Sequence, residues 1–121
     1  MMDLILWRHA EALDESEAME DLQRPLTSRG EKQAARMAAW LDRQLPDGAR
    51  VICSPARRTE QTALALGRKY KLRAELLPGC TPAELLELAQ WPKGKGTVLV
   101  VGHQPVLGQT IAELVGFSAA D

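Results

Sequence analysis

Leu4-Ile5-Leu6-Trp7-Arg8-His9-Ala10-Glu11 places four apolar residues directly before a cation and an imidazole. The apolar run predicts a short buried strand, Asp3 to Trp7, and the polar pair is then expected where that strand leaves the core. In open α/β sheets the carboxyl ends of the strands carry the chemistry. Such a sheet requires further strands alternating with helices along the chain.

Glu11 to Gln23 is an acidic, weakly periodic connection, with Glu15 to Asp21 expected as a solvated face that at most borders a crevice. Pro25 breaks structure, and Ser28 and Glu31 are spaced as a capping box for a helix. Ala34, Met37, Ala38, Leu41 and Leu45 form its apolar stripe, and Pro46-Asp47-Gly48 stops it. Val51-Ile52-Cys53 is a second strand, and Ser54-Pro55 turns it into a helix expected to run to about Tyr70. Arg73 to Leu77 reads as a weaker strand. Thr81-Pro82 opens a helix with Leu85, Leu86, Leu88 and Ala89 as its buried side. Thr97 to Val101 is the strongest strand, followed by Gly102-His103-Gln104-Pro105 and a last helix through Leu114. This β-α alternation predicts an α/β fold: three layers, α/β/α, around a mostly parallel sheet.

The chain of 121 residues is expected to form a single domain, residues 1–121, burying about two thirds of its unfolded surface. Its 15 basic and 16 acidic residues are spread along the chain with a net charge of -1, so neither nucleic acid nor an anionic membrane is an expected partner. The N-terminal apolar run is shorter than a signal peptide or a membrane span. A cytoplasmic protein with reduced Cys53 and Cys80 is expected. Two histidines and Cys53 lack close ligand spacing, so no metal and no cofactor is expected.

Three strand exits carry the notable polar residues: Arg8-His9, the segment Ser54 to Arg58, and His103. Parallel strands present these exits on one side, so they converge on one crevice. Arginines there orient phosphoryl oxygens, a helix N-terminus favours an anion, and a neutral imidazole can attack phosphorus. Arg57 and Arg58 sit in a first helical turn, an unfavourable place for cations that a bound phosphate would compensate. Spacing alone does not choose between them. Ser54 either caps that helix or touches the phosphate.

These residues resemble the histidine phosphatase superfamily, with its phosphoglycerate mutase-like fold. Arg8-His9-Ala10 resembles its Arg-His-Gly signature, and Ser54-Pro55-Ala56-Arg57-Arg58-Thr59-Glu60-Gln61-Thr62 its Ser-Pro-x-x-Arg-x-x-Gln-Thr segment. Arg24-Pro25-Leu26-Thr27 with Gly30 and Gln33 resembles its Pro-Leu-Thr-x-x-Gly-x-x-Gln stretch, and Val101-Gly102-His103 the second histidine motif. The small size is most similar to the bacterial phosphohistidine phosphatases of that family.

The resemblance implies that His9 is the nucleophile and that Arg8, Arg58 and His103 clamp the phosphoryl oxygens, with Arg57 in reserve and Ser54 beside them. It implies a phosphohistidine-bearing signalling protein, or a small phosphoester or phosphoramidate, as substrate. Two other readings stay open: an inactive phosphate-binding interaction module, and a general phosphomonoester phosphatase or mutase. Glu11, Asp14 and Glu84 are candidate general acids. Ala10 stands where the family pattern has glycine, which bears on whether that position needs a positive φ. The resemblance also implies further elements after the last helix, so a C-terminally truncated domain is expected. Its first strand would then be an apolar edge that a homodimer or a swapped segment would cover.

Overall fold

In a computed structural model that describes residues 2–16 and 19–116, strand β1 spans Met2–Arg8, β2 Arg50–Cys53, β3 Lys71–Leu72 and β4 Gly96–Gly102. Helices α1 Ser28–Gln44, α2 Arg57–Leu64, α3 Pro82–Ala89 and α4 Val106–Leu114 connect or follow them. The sheet order is β1-β4-β2-β3, and every pairing is parallel. Parallel pairing follows from the helical crossovers, which return the chain to the same end of the sheet before each strand.

Alternation along β4 builds the two halves of the core. Leu99 and Val101 face a cluster that includes Trp7, Ala38, Leu41 and Ala63, while Val98 and Val100 face Leu76, Leu85, Ala89, Val106 and Leu107. The first cluster places α1 and α2 on one face of the sheet, and the second places α3 and α4 on the other. The three-layer architecture expected from the sequence is therefore present. Four consecutive β4 side chains, Val98 to Val101, have no solvent exposure. Each contributes about 1.5–3 kcal/mol of burial free energy.

Several local expectations need correction. Thr27, not Ser28, caps α1: its hydroxyl accepts the Gly30 N–H at 2.9 Å. Both residue types cap well, and the one whose backbone is still extended takes the role. Met37 is 45% exposed and so lies off the buried stripe of α1. Helix α2 ends at Leu64 rather than near Tyr70, because the chain turns through Gly67 at φ +73° while Leu66 enters the core. β3 is Lys71–Leu72, and Ala74–Leu76 is a 3-10 turn instead of the expected strand from Arg73 to Leu77. β2 stops at Cys53, and Arg73 N–H makes the last bond to the Cys53 carbonyl at 2.9 Å. Residues beyond it have no strand to pair with.

The apolar run also predicts a fully buried β1. Leu4, Ile5 and Leu6 are half-buried instead, because among the described residues β1 has β4 on one side and no strand on the other. The α3 start has the predicted cap, with a complete capping box between Thr81 and Glu84. No helix among the described residues is long and apolar enough to cross a membrane. The stretch Phe117 to Asp121 lies outside the described residues.

Candidate active site

The register Arg8↔Gly102 and Cys53↔Val101 brings the ends of β1, β4 and β2 level, so the residues that follow each strand meet. They line a crevice of about 650 Å³ whose walls include Arg8, His9, Arg24, Asp21, Arg58 and His103. His9 continues the β1–β4 ladder, its N–H donating to the Gly102 carbonyl at 3.1 Å. Its ring Nδ1 lies 2.7 Å from the Ala10 carbonyl. A carbonyl only accepts, so Nδ1 carries a proton, and in the neutral ring Nε2 is the nitrogen that keeps its lone pair. Burial holds the His9 pKa below its ordinary value against the raising effect of that hydrogen bond, and the charges of Arg58, Arg8 and Arg24 reinforce the lowering.

His103 is 2% exposed, and its ring centroid stands 5.4 Å from that of His9. Burial first, then the charge of Arg58, pushes its pKa down to about 4. Ser54 is the neighbour that fixes this ring: its hydroxyl lies 2.8 Å from His103 Nε2 and 3.4 Å from the Ala56 N–H. The N-cap position of α2 is Ala56, so Ser54 does not cap the helix. The Ser54 hydroxyl accepts from Ala56 and still has both a donor and a lone pair, so its bond to Nε2 runs in the direction set by the His103 tautomer. When the hydroxyl donates, the His103 proton is on Nδ1. His103 Nδ1 and Arg58 Nε are both buried without a hydrogen-bond partner. Buried polar atoms are nearly always partnered, and both of these belong to residues that line the crevice.

Arg58 and Arg57 separate cleanly. Arg58 is buried and lines the crevice, whereas Arg57 is exposed and does not. Arg8 is exposed at the crevice mouth. Of the candidate acids, Glu11 lines the crevice, with its carboxylate accepting the Thr27 hydroxyl at 2.8 Å. Asp14 is exposed and not part of the lining. Glu84 is committed to the α3 capping box, accepting the Thr81 N–H at 3.0 Å, and does not line the crevice either.

The remaining motif residues hold the loop behind His9. Gly30 lets α1 approach the chain so closely that a Cβ there would lie 2.0 Å from the Glu11 carbonyl oxygen. Gln33 accepts the Glu11 N–H at 3.1 Å, Gln61 the Leu26 N–H at 2.7 Å, and the Thr62 hydroxyl the Ala10 N–H at 3.1 Å. Ala10 has no positive φ, so alanine is accommodated where the family pattern has glycine. Sequence reasoning meets Arg24 only at the head of the Arg24-Pro25-Leu26-Thr27 motif and Asp21 only as the end of the acidic stretch, and gives neither a role in the site. Arg58 Nη2 lies 3.1 Å from the Asp21 carboxylate and Arg24 Nη2 2.8 Å from it, so Asp21, whose side chain is 40% exposed, stands where the acidic stretch borders the crevice.

Two imidazoles and three guanidiniums around the carboxyl ends of parallel strands define an α/β protein with a histidine-centred, arginine-rich pocket. The chain belongs to the histidine phosphatase superfamily (branch 1), whose profile matches residues 4–81. It is 36% identical over 121 residues to the phosphohistidine phosphatase SixA of Escherichia coli (strain K12), covering 93% of this chain and 74% of that one. Against a chain from Nakamurella multipartitia assigned to SixA, the TM-score is 0.79 at 42% identity. That likeness covers 93% of this chain and 64% of the other. The protein histidine phosphatase SixA complexed with tungstate matches with a TM-score of 0.78 at 31% identity, over 92% of this chain and 75% of that one.

Proposed function

We propose that this chain is a phosphohistidine phosphatase that works through a phosphohistidine intermediate on His9, on a phosphorylated protein in the cytoplasm. The observation that carries the reading is His9, with its Nδ1 2.7 Å from the Ala10 carbonyl and its ring centroid 5.4 Å from that of His103, in a crevice walled by Arg8 and Arg58. The lowered His9 pKa favours the neutral ring with Nε2 unprotonated. Nε2 attacks phosphorus, the bond to the leaving group breaks, and the phosphoryl group passes to His9. Water then attacks the phosphohistidine, releasing inorganic phosphate and restoring the imidazole. Arg8, Arg58 and the Nδ1–H of His103 bind the non-bridging oxygens throughout, stabilising the charge of each transition state without a metal ion.

A histidine-borne phosphoryl group suits this site. An imidazole leaves more readily than an alkoxide, so it makes less demand on a general acid, and the Glu11 carboxylate is already engaged by Thr27. The similarity to E. coli SixA, named a phosphohistidine phosphatase, supports the same substrate class.

Incubation with labelled phosphoramidate, followed by acid and base quenches, tests the intermediate. Wild type should trap an acid-labile, base-stable phosphoenzyme, and His9→Ala should trap none. Equal labelling of His9→Ala overturns the assignment.

A further inference from the structure

Arg58 reaches the crevice from the first turn of α2 on a long side chain with several rotatable bonds. Its terminal edge is filled by a single residue. Nη1 donates to the Asp21 backbone carbonyl at 2.7 Å, and Nη2 to the Asp21 carboxylate Oδ2 at 3.1 Å. The other carboxylate oxygen, Oδ1, accepts from Arg24 Nε at 2.9 Å and Nη2 at 2.8 Å, and Arg24 also donates to the Leu13 carbonyl. Asp21 sits in the 3-10 turn Asp21–Gln23, which has no buried residue of its own. Two arginines therefore tie this turn to the crevice, and the turn in return holds Arg58.

We propose that Asp21 is a positioning residue, fixing the terminal edge of the Arg58 guanidinium so that its remaining donors meet the phosphoryl group beside His9 and His103. The proposal rests on the phosphatase reading above. A guanidinium has five N–H donors, and Asp21 engages two of them. The buried Nε–H is among those left. Electrostatic stabilisation of a transition state requires donors that are fixed before the charge develops, and a tethered guanidinium meets that requirement. Burial raises the Asp21 pKa, but the hydrogen bonds and charges of Arg24 and Arg58 outweigh it and hold the carboxyl below its usual range. The tether is thus ionised throughout the neutral range.

The experiment compares wild type, Asp21→Asn and Asp21→Ala by three readouts: the NMR signal of the Arg58 Nε–H, kcat and KM with phosphoramidate, and thermal unfolding. In Asp21→Ala the Arg58 signal should broaden and kcat should fall tenfold or more, with KM changed less than threefold. Asp21→Asn keeps an acceptor oxygen, so it should recover part of kcat and part of the signal. An unchanged Arg58 signal in Asp21→Ala, a kcat within twofold of wild type, or equal losses in the two variants overturns the proposal. The NMR readout needs no turnover. Absence of phosphoramidate hydrolysis by wild type would overturn the phosphatase reading, while the Arg58 signal would still decide whether Asp21 positions it.

Discussion

His9 and His103 stand with ring centroids 5.4 Å apart, and the proposed attack by His9 requires its imidazole to be neutral. The protein achieves this by burial and by arginines, which make a second or third cation unfavourable. Because the His9 pKa is lowered, the acid limb of kcat/KM should have its midpoint below 6.5, measured with phosphoramidate across pH 4 to 8. A midpoint above 7 would sink the neutral-nucleophile account. His103 ties the same physics to stability. Its folded pKa of about 4 lies below the ordinary 6.5, so as pH falls through this window the unfolded chain takes up a proton that the folded one refuses. Stability is full above 6.5 and should fall by about 3 kcal/mol between pH 7 and 4 on account of this one group. Urea denaturation of wild type and His103→Gln over that range measures it. Parallel curves for the two proteins would remove the assignment.

The crossover elements do more than link strands, because α1 and α2 grip the loop that carries His9. Gly30 is the tightest of these contacts, with the Glu11 carbonyl oxygen occupying the place of a Cβ. Gly30→Ala must therefore push α1 away from the loop, and overpacking against backbone costs about 1–3 kcal/mol. The variant should lose that much stability in urea denaturation and at least tenfold in kcat, since Glu11 is two residues from His9, the proposed nucleophile. Gly48→Ala is the control: nothing lies within 4 Å of its added methyl group, and its stability should stay within about 0.5 kcal/mol of wild type. A Gly30→Ala protein indistinguishable from this control would show that the loop is held by other means. These grips also mark how far the sequence can be read. At the start of α2 local pattern offers Arg57 and Arg58 alike, and only the family resemblance picks Arg58. Arg8, His9 and His103 are legible because each ends or directly follows a strand, where local pattern fixes position. Asp21 and Arg24 are not, since a carboxylate in an acidic connection becomes a site residue only when α2 brings Arg58 against it, across 37 positions of sequence. The capping residue of α1 is displaced by one from its expected position for a gentler reason, two adjacent hydroxyl residues of nearly equal capping strength.

Across the whole molecule, stability is distributed unevenly over the sheet. β4 is flanked by β1 and β2 and sealed on both faces, whereas β1 is flanked on one side and half-buried. His9 N–H bonds to Gly102, so the two-residue alternation of a strand turns the amides of Trp7 and Ile5 toward β4 as well, and those of Leu4 and Leu6 away from it. The strand that delivers His9 thereby has one edge with no strand beside it among the described residues, an arrangement that edge strands tolerate at the risk of pairing with another chain. Native-state hydrogen exchange resolves this. Val98 to Val101 should exchange only through global unfolding, Ile5 and Trp7 should be protected nearly as well, and Leu4 and Leu6 should exchange through local opening, orders of magnitude faster. If Leu4 and Leu6 are as slow as Val100, another strand covers the β1 edge. A rise in their protection with protein concentration would identify that strand as belonging to a second copy, which is the homodimer expected from an uncovered apolar edge.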